Sequence, residues 1–277
     1  MVPGAGSSSV RPRFTFVAQN ANRFIQPAVK QSLERTMTKV VAISGSIRME
    51  KSDTAMLMEP FLDGVKEAGA SAELFYVKRL NIQSCMGDFH CWDTKPGECI
   101  ISDDMQLLYP KLRSADILVL ATPVYIPLPS EMQNFLNRLC PLIEPILEKR
   151  GGRTRARFHE NVKIRKIVLV SASGWWEKDN FGTVLRIAEE IAKDANVEFA
   201  GAILRPHAFV MNENKEKAKI VMNALKQAGF QLVKEGKIAD ELLETISQPL
   251  ISEEEFRRRS NDAYRKIKNK QTLNRDA

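Results

Sequence analysis

Long apolar runs are missing from this chain of 277 residues. The longest, such as Ile117 to Ala121, are strand-sized. They fall far short of the ~20 residues a membrane-spanning helix needs, so no membrane partner is expected. Cysteine is sparse. Cys85, Cys91, Cys99 and Cys140 are the whole supply, too few for the dense disulfide framework of a small secreted domain. No Walker loop ending in Gly-Lys-Ser/Thr and no Gly-x-Gly-x-x-Gly fingerprint follows the first strand. No Ser/His/Asp triad or paired-carboxylate arrangement is legible. The body of the chain also lacks net charge. The total is +7, but residues 1–36 hold +4 of it and residues 252–277 hold +3. Residues 37–251 therefore carry no global basic field, and no nucleic-acid partner is expected.

What is present is an alternation of strand and helix from residue 38 onward. Lys39–Ser44 reads as a buried strand, and Thr54–Ala68 as a helix closed by Gly69. Further strands are expected at Ala72–Val77, Ala115–Ala121, Ile164–Ser171 and Val197–Leu204. Helices are expected at Asp104–Ser114, Ser130–Glu148 and Phe181–Asp194, with three more segments in the tail from Lys215 onward. Five strands joined by helices imply an α/β fold, a doubly wound parallel sheet in the order 2-1-3-4-5. In such a sheet a ligand lies at the carboxyl ends of the strands, at the topological switch point. The site is thereby placed in the loops after strands one, three and four.

The first loop runs Ser44-Gly45-Ser46-Ile47-Arg48-Met49-Glu50-Lys51-Ser52-Asp53-Thr54. The hydroxyls of Ser46, Ser52 and Thr54, the free N–H groups of a helix start and Arg48 can together hold a phosphate. The same residues also read as an ordinary N-capped turn. The second loop is Thr122-Pro123-Val124-Tyr125, whose aromatic ring can flank a planar ligand or plug the turn. The third is Ser171-Ala172-Ser173-Gly174-Trp175-Trp176-Glu177. Its small residues let backbone N–H groups approach a ligand closely, and its tryptophans fit either a ligand site or packing against the next helix.

Taken in order, Gly-Ser-x-Arg with a trailing Ser-x-Thr, then Thr-Pro-Val-Tyr, then Ser-Gly-Trp-x-Glu resembles the NAD(P)H-dependent FMN reductase and iron–sulfur flavoprotein group of flavodoxin-like proteins. The resemblance covers about residues 38–205. It implies a flavodoxin-like FMN-binding domain over 37–208 and a helical C-terminal extension over 209–277. It implies phosphate contacts at Ser46, Arg48, Ser52 and Thr54. Ribityl and ring contacts fall on Pro123, Val124 and Tyr125, and contacts to the pyrimidine side of the ring on Ser173, Gly174 and Trp175. NADPH or NADH would give hydride to the flavin, with no side-chain acid needed. A quinone, another small oxidant or a redox protein would accept the electrons. The alternative is an iron–sulfur flavoprotein-type electron carrier without significant NAD(P)H turnover. The resemblance also suggests a homodimer or homotetramer, in the cytoplasm.

Three cysteines cluster in Cys85-Met86-Gly87-Asp88-Phe89-His90-Cys91-Trp92 and Cys99. In the iron–sulfur members of the group, a Cys-x2-Cys-x2-Cys run with a fourth cysteine shortly after binds a [4Fe–4S] cluster. Here Asp88 stands at the second position, and a carboxylate is a harder ligand than a thiolate. Cys140, expected on the helix after strand three, is expected not to reach. Three readings stay open: a cluster completed by Asp88 or left with an open iron; zinc held by Cys85, Cys91, Cys99 and His90 or Asp88; and a metal-free loop at a subunit interface. The last is the expectation carried forward. The basic run Lys149 to Arg157 reads as a solvated loop or as a lid for the phosphates of NADPH. Residues 1–36, rich in Gly, Ser and Arg, read as a disordered upstream extension or as a transit peptide.

Overall fold

The computed structural model describes residues 37–273. The expected N-terminal extension lies outside the described residues. The strands are β1 Lys39–Ser44, β2 Ser71–Tyr76, β3 Ile117–Pro123, β4 Ile143–Arg150, β5 Arg153–Phe158, β6 Lys166–Ala172 and β7 Glu198–Arg205. The helices are α1 Asp53–Glu67, α2 His90–Asp93, α3 Met105–Ser114, α4 Ser130–Asn137, α5 Gly182–Ala195, α6 Lys215–Glu235, α7 Asp240–Ser247 and α8 Glu253–Leu273.

Five strands form one sheet in the order β2-β1-β3-β6-β7, every neighbouring pair parallel. This is the expected flavodoxin-like order once the β4–β5 hairpin is set aside. β1, β3 and β6 are runs of Val, Ile, Leu and Ala buried on both faces, the pattern a helix-covered parallel sheet requires. One face packs under α1, α6 and α7 through residues such as Phe61, Val119, Val170, Leu225 and Ile246. The other packs under α3, α4 and α5 through Leu112, Leu120, Phe135, Leu169 and Val184.

The domain boundary expected at residue 208 falls inside this core, because α6 is one of the helices that cover the sheet. Its contact with α1 is backbone to backbone. A Cβ on Gly64 would lie 1.8 Å from the carbonyl oxygen of Lys226, and one on Gly229 would lie 1.9 Å from that of Phe61. Only paired glycines permit so close a crossing. The remainder of the C-terminal region, α7 and α8, is helical as expected.

The helix expected over Ser130–Glu148 is corrected. α4 stops at Asn137, and β4 begins six residues later. Pro141 and Pro145 cannot donate the backbone hydrogen bonds that a continued helix needs. The basic run Lys149 to Arg157, expected as a loop, instead falls in a hairpin: β5 pairs antiparallel with β4. Gly151 and Gly152 both have positive φ, 56° and 78°, which suits a two-residue hairpin turn. The hairpin's arginines meet carboxylates: Arg155 pairs with Glu190 and Asp194, and Arg157 Nε donates to Glu144 at 2.9 Å. Glu190 and Asp194 lie in the last turns of α5. That helix runs antiparallel to the strands, so its end is opposite the carboxyl edge where a ligand is expected.

Candidate active site

The loops after β1, β3 and β6 converge on one cleft at the carboxyl edge of the sheet. Ser46, Arg48, Ser52 and Thr54 line it from the first loop, Pro123, Val124 and Tyr125 from the second, and Ser173 and Gly174 from the third. Asp53 and Ala172 also line it and were not anticipated. Trp175 lies beside the cleft with its side chain 63% exposed, and is not part of the wall.

Local chemistry explains the first loop. Gly45 donates to the Ala121 carbonyl at 2.8 Å, tying the loop to β3. A Cβ there would lie 2.6 Å from the Met132 Cβ on α4, so the position needs glycine. Met49 adopts a left-handed φ of 48°, an unfavourable conformation for a side chain of this size. The Ser52 hydroxyl donates to Met49 O at 2.6 Å and accepts from Ala55 N at 3.1 Å. It is the N-cap of α1, and its proton is engaged in shaping the loop. Thr54 is different. It is fully buried, and its Oγ1 has no hydrogen-bond partner. A buried hydroxyl without a partner is costly. This one belongs to a residue of the cleft wall, at the positive end of a 15-residue helix. Burial raises the Asp53 carboxyl above its ordinary range, and Arg48 partly opposes that shift.

The second loop is held by Val124 N donating to Ala172 O at 3.0 Å and Tyr125 N to Pro127 O at 2.8 Å. The Tyr125 ring is half exposed. In the third loop the buried Ser173 Oγ accepts from Trp175 N at 3.1 Å, leaving Gly174 exposed between them. Trp176 turns away from the cleft, donating Nε1 to Ile251 O at 3.0 Å and stacking on His207.

Beneath that loop is a buried pair of ionisable side chains. Arg205 and His207 are both fully buried. Arg205 donates to the carbonyls of Pro206, Ile246 and Gln248. His207 Nε2 accepts from Leu250 N at 3.0 Å, so the neutral ring carries its proton on Nδ1. Burial, then the charge of Arg205, pushes the imidazole down to about 4. Burial alone lowers the guanidinium to about 10.

The cysteines contradict one expectation directly. Cys140 does reach the cysteine loop. Helix α4 ends three residues earlier than Cys140 rather than carrying it. Cys85, Cys91, Cys99 and Cys140 all line one cavity of about 120 Å³, together with Asp88. Cys91 and Cys140 lie close enough to influence each other's ionisation. Burial raises both thiols, Cys140 to about 12. Among the described residues, no three His, Cys, Asp or Glu side chains converge closely enough to hold a single metal ion.

A family model described as NADPH-dependent FMN reductase matches residues 38–176. The chain is 34% identical over 87 residues to an iron–sulfur flavoprotein of Archaeoglobus fulgidus, a stretch that is 31% of this chain and 41% of that protein. It spans about half or less of the length of the curated relatives it matches. Among solved structures, a NAD(P)H:quinone oxidoreductase from Methanothermobacter marburgensis superposes with a TM-score of 0.50 at 16% identity, covering 71% of this chain and 97% of that one. An azoreductase from Bacillus anthracis superposes with a TM-score of 0.51 at 14% identity, covering 72% and 100%. At these identities the two structures are alike in fold.

Proposed function

On the premise that this chain belongs to the NADPH-dependent FMN reductase family, we propose that the cleft binds FMN and that the protein is an oxidoreductase using NADPH or NADH. The observation that carries the reading is the buried, unpartnered hydroxyl of Thr54 in a cleft built from three strand-end loops. A phosphate at the start of α1 fits that orphan. Thr54 donates to it, Ser46 and the first N–H groups of α1 surround it, and Arg48 adds positive charge. Ser52 contributes by capping α1 and fixing the loop's curve.

Bound FMN would supply the redox chemistry, accepting hydride from a nicotinamide and passing electrons on. Pro123, Val124 and Tyr125 border the ring and its ribityl chain. The backbone N–H of Gly174 would serve the pyrimidine edge of a bound flavin, where a preorganised donor would stabilise developing negative charge. Its lack of a side chain lets the backbone approach, and open space lies where a Cβ would project. Trp175, at the cleft's margin, is placed to cover the ring from outside. No side-chain acid or base is required of the protein for hydride transfer.

The acceptor in this reading is a small oxidant such as a quinone, or a redox protein. A cytoplasmic location belongs to the same proposal. Among the described residues no helix is long and apolar enough to cross a membrane. A homodimer or homotetramer belongs to the same proposal, supported by the exposed apolar side chains of Met86, Phe89 and Ile100.

The test is an anaerobic absorbance spectrum of the purified protein before and after NADPH. Flavin bands that bleach on mixing are expected. Bands that bleach only with dithionite or reduced ferredoxin would make the protein an electron carrier. A protein that takes up no FMN would overturn the reading.

A further inference from the structure

The β4–β5 hairpin and α5 border a cavity of about 500 Å³, a size usual for small-molecule sites. Its charged lining sets Arg150, Arg153, Arg155, Arg186 and Lys193 against the one carboxylate of Glu190. Four of these cations share that carboxylate. Arg155 donates to it at 2.9 Å and Lys193 at 3.2 Å. Arg186 pairs with it at 2.9 Å, and Arg153 reaches it at 3.5 Å. The Arg155 hydrogen bond, with Lys193 and Arg186 adding to it, holds the Glu190 carboxyl down at about 2. Glu190 is therefore fully ionised and still supplies only one charge.

Carboxylates outside the lining answer three of the five cations. Arg155 also meets Asp194, Arg150 meets Glu148, and Lys193 lies 3.7 Å from Glu189. Arg150 donates as well to the carbonyls of Ala156, Lys193 and Asp194. The last two close α5, so this guanidinium also offsets the negative end of that helix. Arg153 and Arg186 are left. Among the described residues neither has an ion-pair partner except Glu190, and their side chains are 62% and 54% exposed. Ion pairs so open to water contribute little. Two guanidinium groups, one on the hairpin and one on the helix, thus stand at the cavity with one shared and weakly held counter-charge.

We infer that this cavity is an anion site separate from the flavin cleft, and that it takes a phosphate group of a small phosphorylated molecule between Arg153 and Arg186. Guanidinium forks match phosphate oxygens in geometry as well as charge. A concave wall dominated by cations also concentrates anions before they bind. When Arg153 and Arg186 turn to the ligand, Glu190 keeps Arg155 and Lys193, so no carboxylate is left without a partner. Gly151, Ala192, Asn196 and Val197 complete the lining. They are small or uncharged and leave room for the organic part of the ligand. Helix α5 leads away from the third loop, and its 14 residues put about 21 Å between its ends. The cations of the hairpin therefore serve a ligand other than the nicotinamide, and the inference does not depend on flavin binding.

The full chain, with FMN supplied, is titrated with inorganic pyrophosphate at low ionic strength, by calorimetry and by thermal melts. Saturable binding is expected, with a melting temperature that rises with pyrophosphate; both effects should weaken as potassium chloride is added. Arg153→Ala combined with Arg186→Ala is expected to weaken binding at least about tenfold, because two charge-assisted contacts are lost. Glu190→Gln is expected to tighten it, because the competing carboxylate is gone; a purely structural Glu190 would give no such gain. Arg48→Ala should leave pyrophosphate binding as it is. Any of the following would overturn the assignment: no saturable binding, equal stabilisation by potassium chloride at matched ionic strength, full affinity in the double arginine variant, or no gain in Glu190→Gln. Loss of binding in Arg48→Ala would overturn it too, by placing the pyrophosphate in the loop after β1.

Discussion

Thr54→Val separates binding from stability because the two should move in opposite directions. The hydroxyl is buried and unpartnered, and a donor left in that condition costs about 1–3 kcal/mol. Valine keeps the β-branched shape and removes the polar atom. The flavin-free variant should therefore be more stable by about 1 kcal/mol, toward the low end because the neighbouring cleft is open to water. At roughly 2–4 °C per kcal/mol for a domain of this size, its melting temperature should rise by a few degrees. If the phosphate of FMN takes the Thr54 proton, the variant loses a charge-assisted hydrogen bond. Such bonds contribute about 1.5–3 kcal/mol, so the dissociation constant should rise roughly 10- to 150-fold. The assay is quenching of FMN fluorescence on titration with stripped protein, alongside thermal melts with and without FMN. A stabilised variant that binds FMN within about twofold of wild type would refute the phosphate assignment. A destabilised variant would show that the hydroxyl has a partner.

His207 gives the stability a pH dependence. Its folded-state value is about 4 against an ordinary 6.5, so between those values the unfolded chain binds the extra proton. Stability should fall as pH drops from about 6.5 to 4, by on the order of 2–3 kcal/mol. His207→Asn, which suits the positive φ of 37°, should flatten that limb in denaturant melts; an unchanged slope would place the effect elsewhere. Arg153, Arg155 and Arg157 changed together to Ala should leave the KM for NADPH within about twofold, because Arg155 and Arg157 answer carboxylates of the hairpin and α5. A large rise would restore the lid reading. Gly229→Ala should cost at least about 2–3 kcal/mol, or roughly 5–10 °C in melting temperature, since its Cβ would meet a backbone carbonyl. A silent substitution would mean that α1 and α6 can separate freely.

Local pattern carried most of the fold. The three central strands, β1, β3 and β6, are continuous apolar runs, and the alternation of strands with helices left little choice of topology. The convergence of Ser46, Thr54, Tyr125 and Ser173 followed from strand order alone, because parallel strands deliver their following loops to one edge. The errors came where a local signal competed with a weaker one. Residues 130–148 have apolar spacing that suits a helix, and that outweighed Pro141, Pro145 and a Gly-Gly pair. Those residues were the readable sign of a hairpin. A helix continued through residue 148 would carry Cys140 out of reach of the cysteine loop. Its true position depends on Arg138 meeting Asp103, a pairing over 35 residues that no spacing rule encodes. Ser52 was legible as both a ligand and a cap, and its two hydrogen bonds show the cap.

The Arg205 group ties the chain's C-terminal region to the third loop by the same kind of long-range pairing. A buried guanidinium normally needs a carboxylate. Arg205 is answered instead by carbonyls at the end of α7, Ile246 and Gln248. Those oxygens are among the unpaired acceptors every helix leaves at its C-terminus, where the helix dipole is negative. The arrangement satisfies both partners at once and leaves no carboxylate beneath the loop. It also makes the loop depend on residues more than 40 positions later. Ser173 N donates to Arg205 O, and His207 N to Trp175 O. Leu250 and Ile251 bind His207 and Trp176 in turn. A change that loosens residues 246–251 therefore releases the third loop, while the phosphate loop, anchored by Ser52 and Gly45 on the other side of the cleft, keeps its shape. Weakened ring binding with phosphate binding retained is the signature that this geometry dictates.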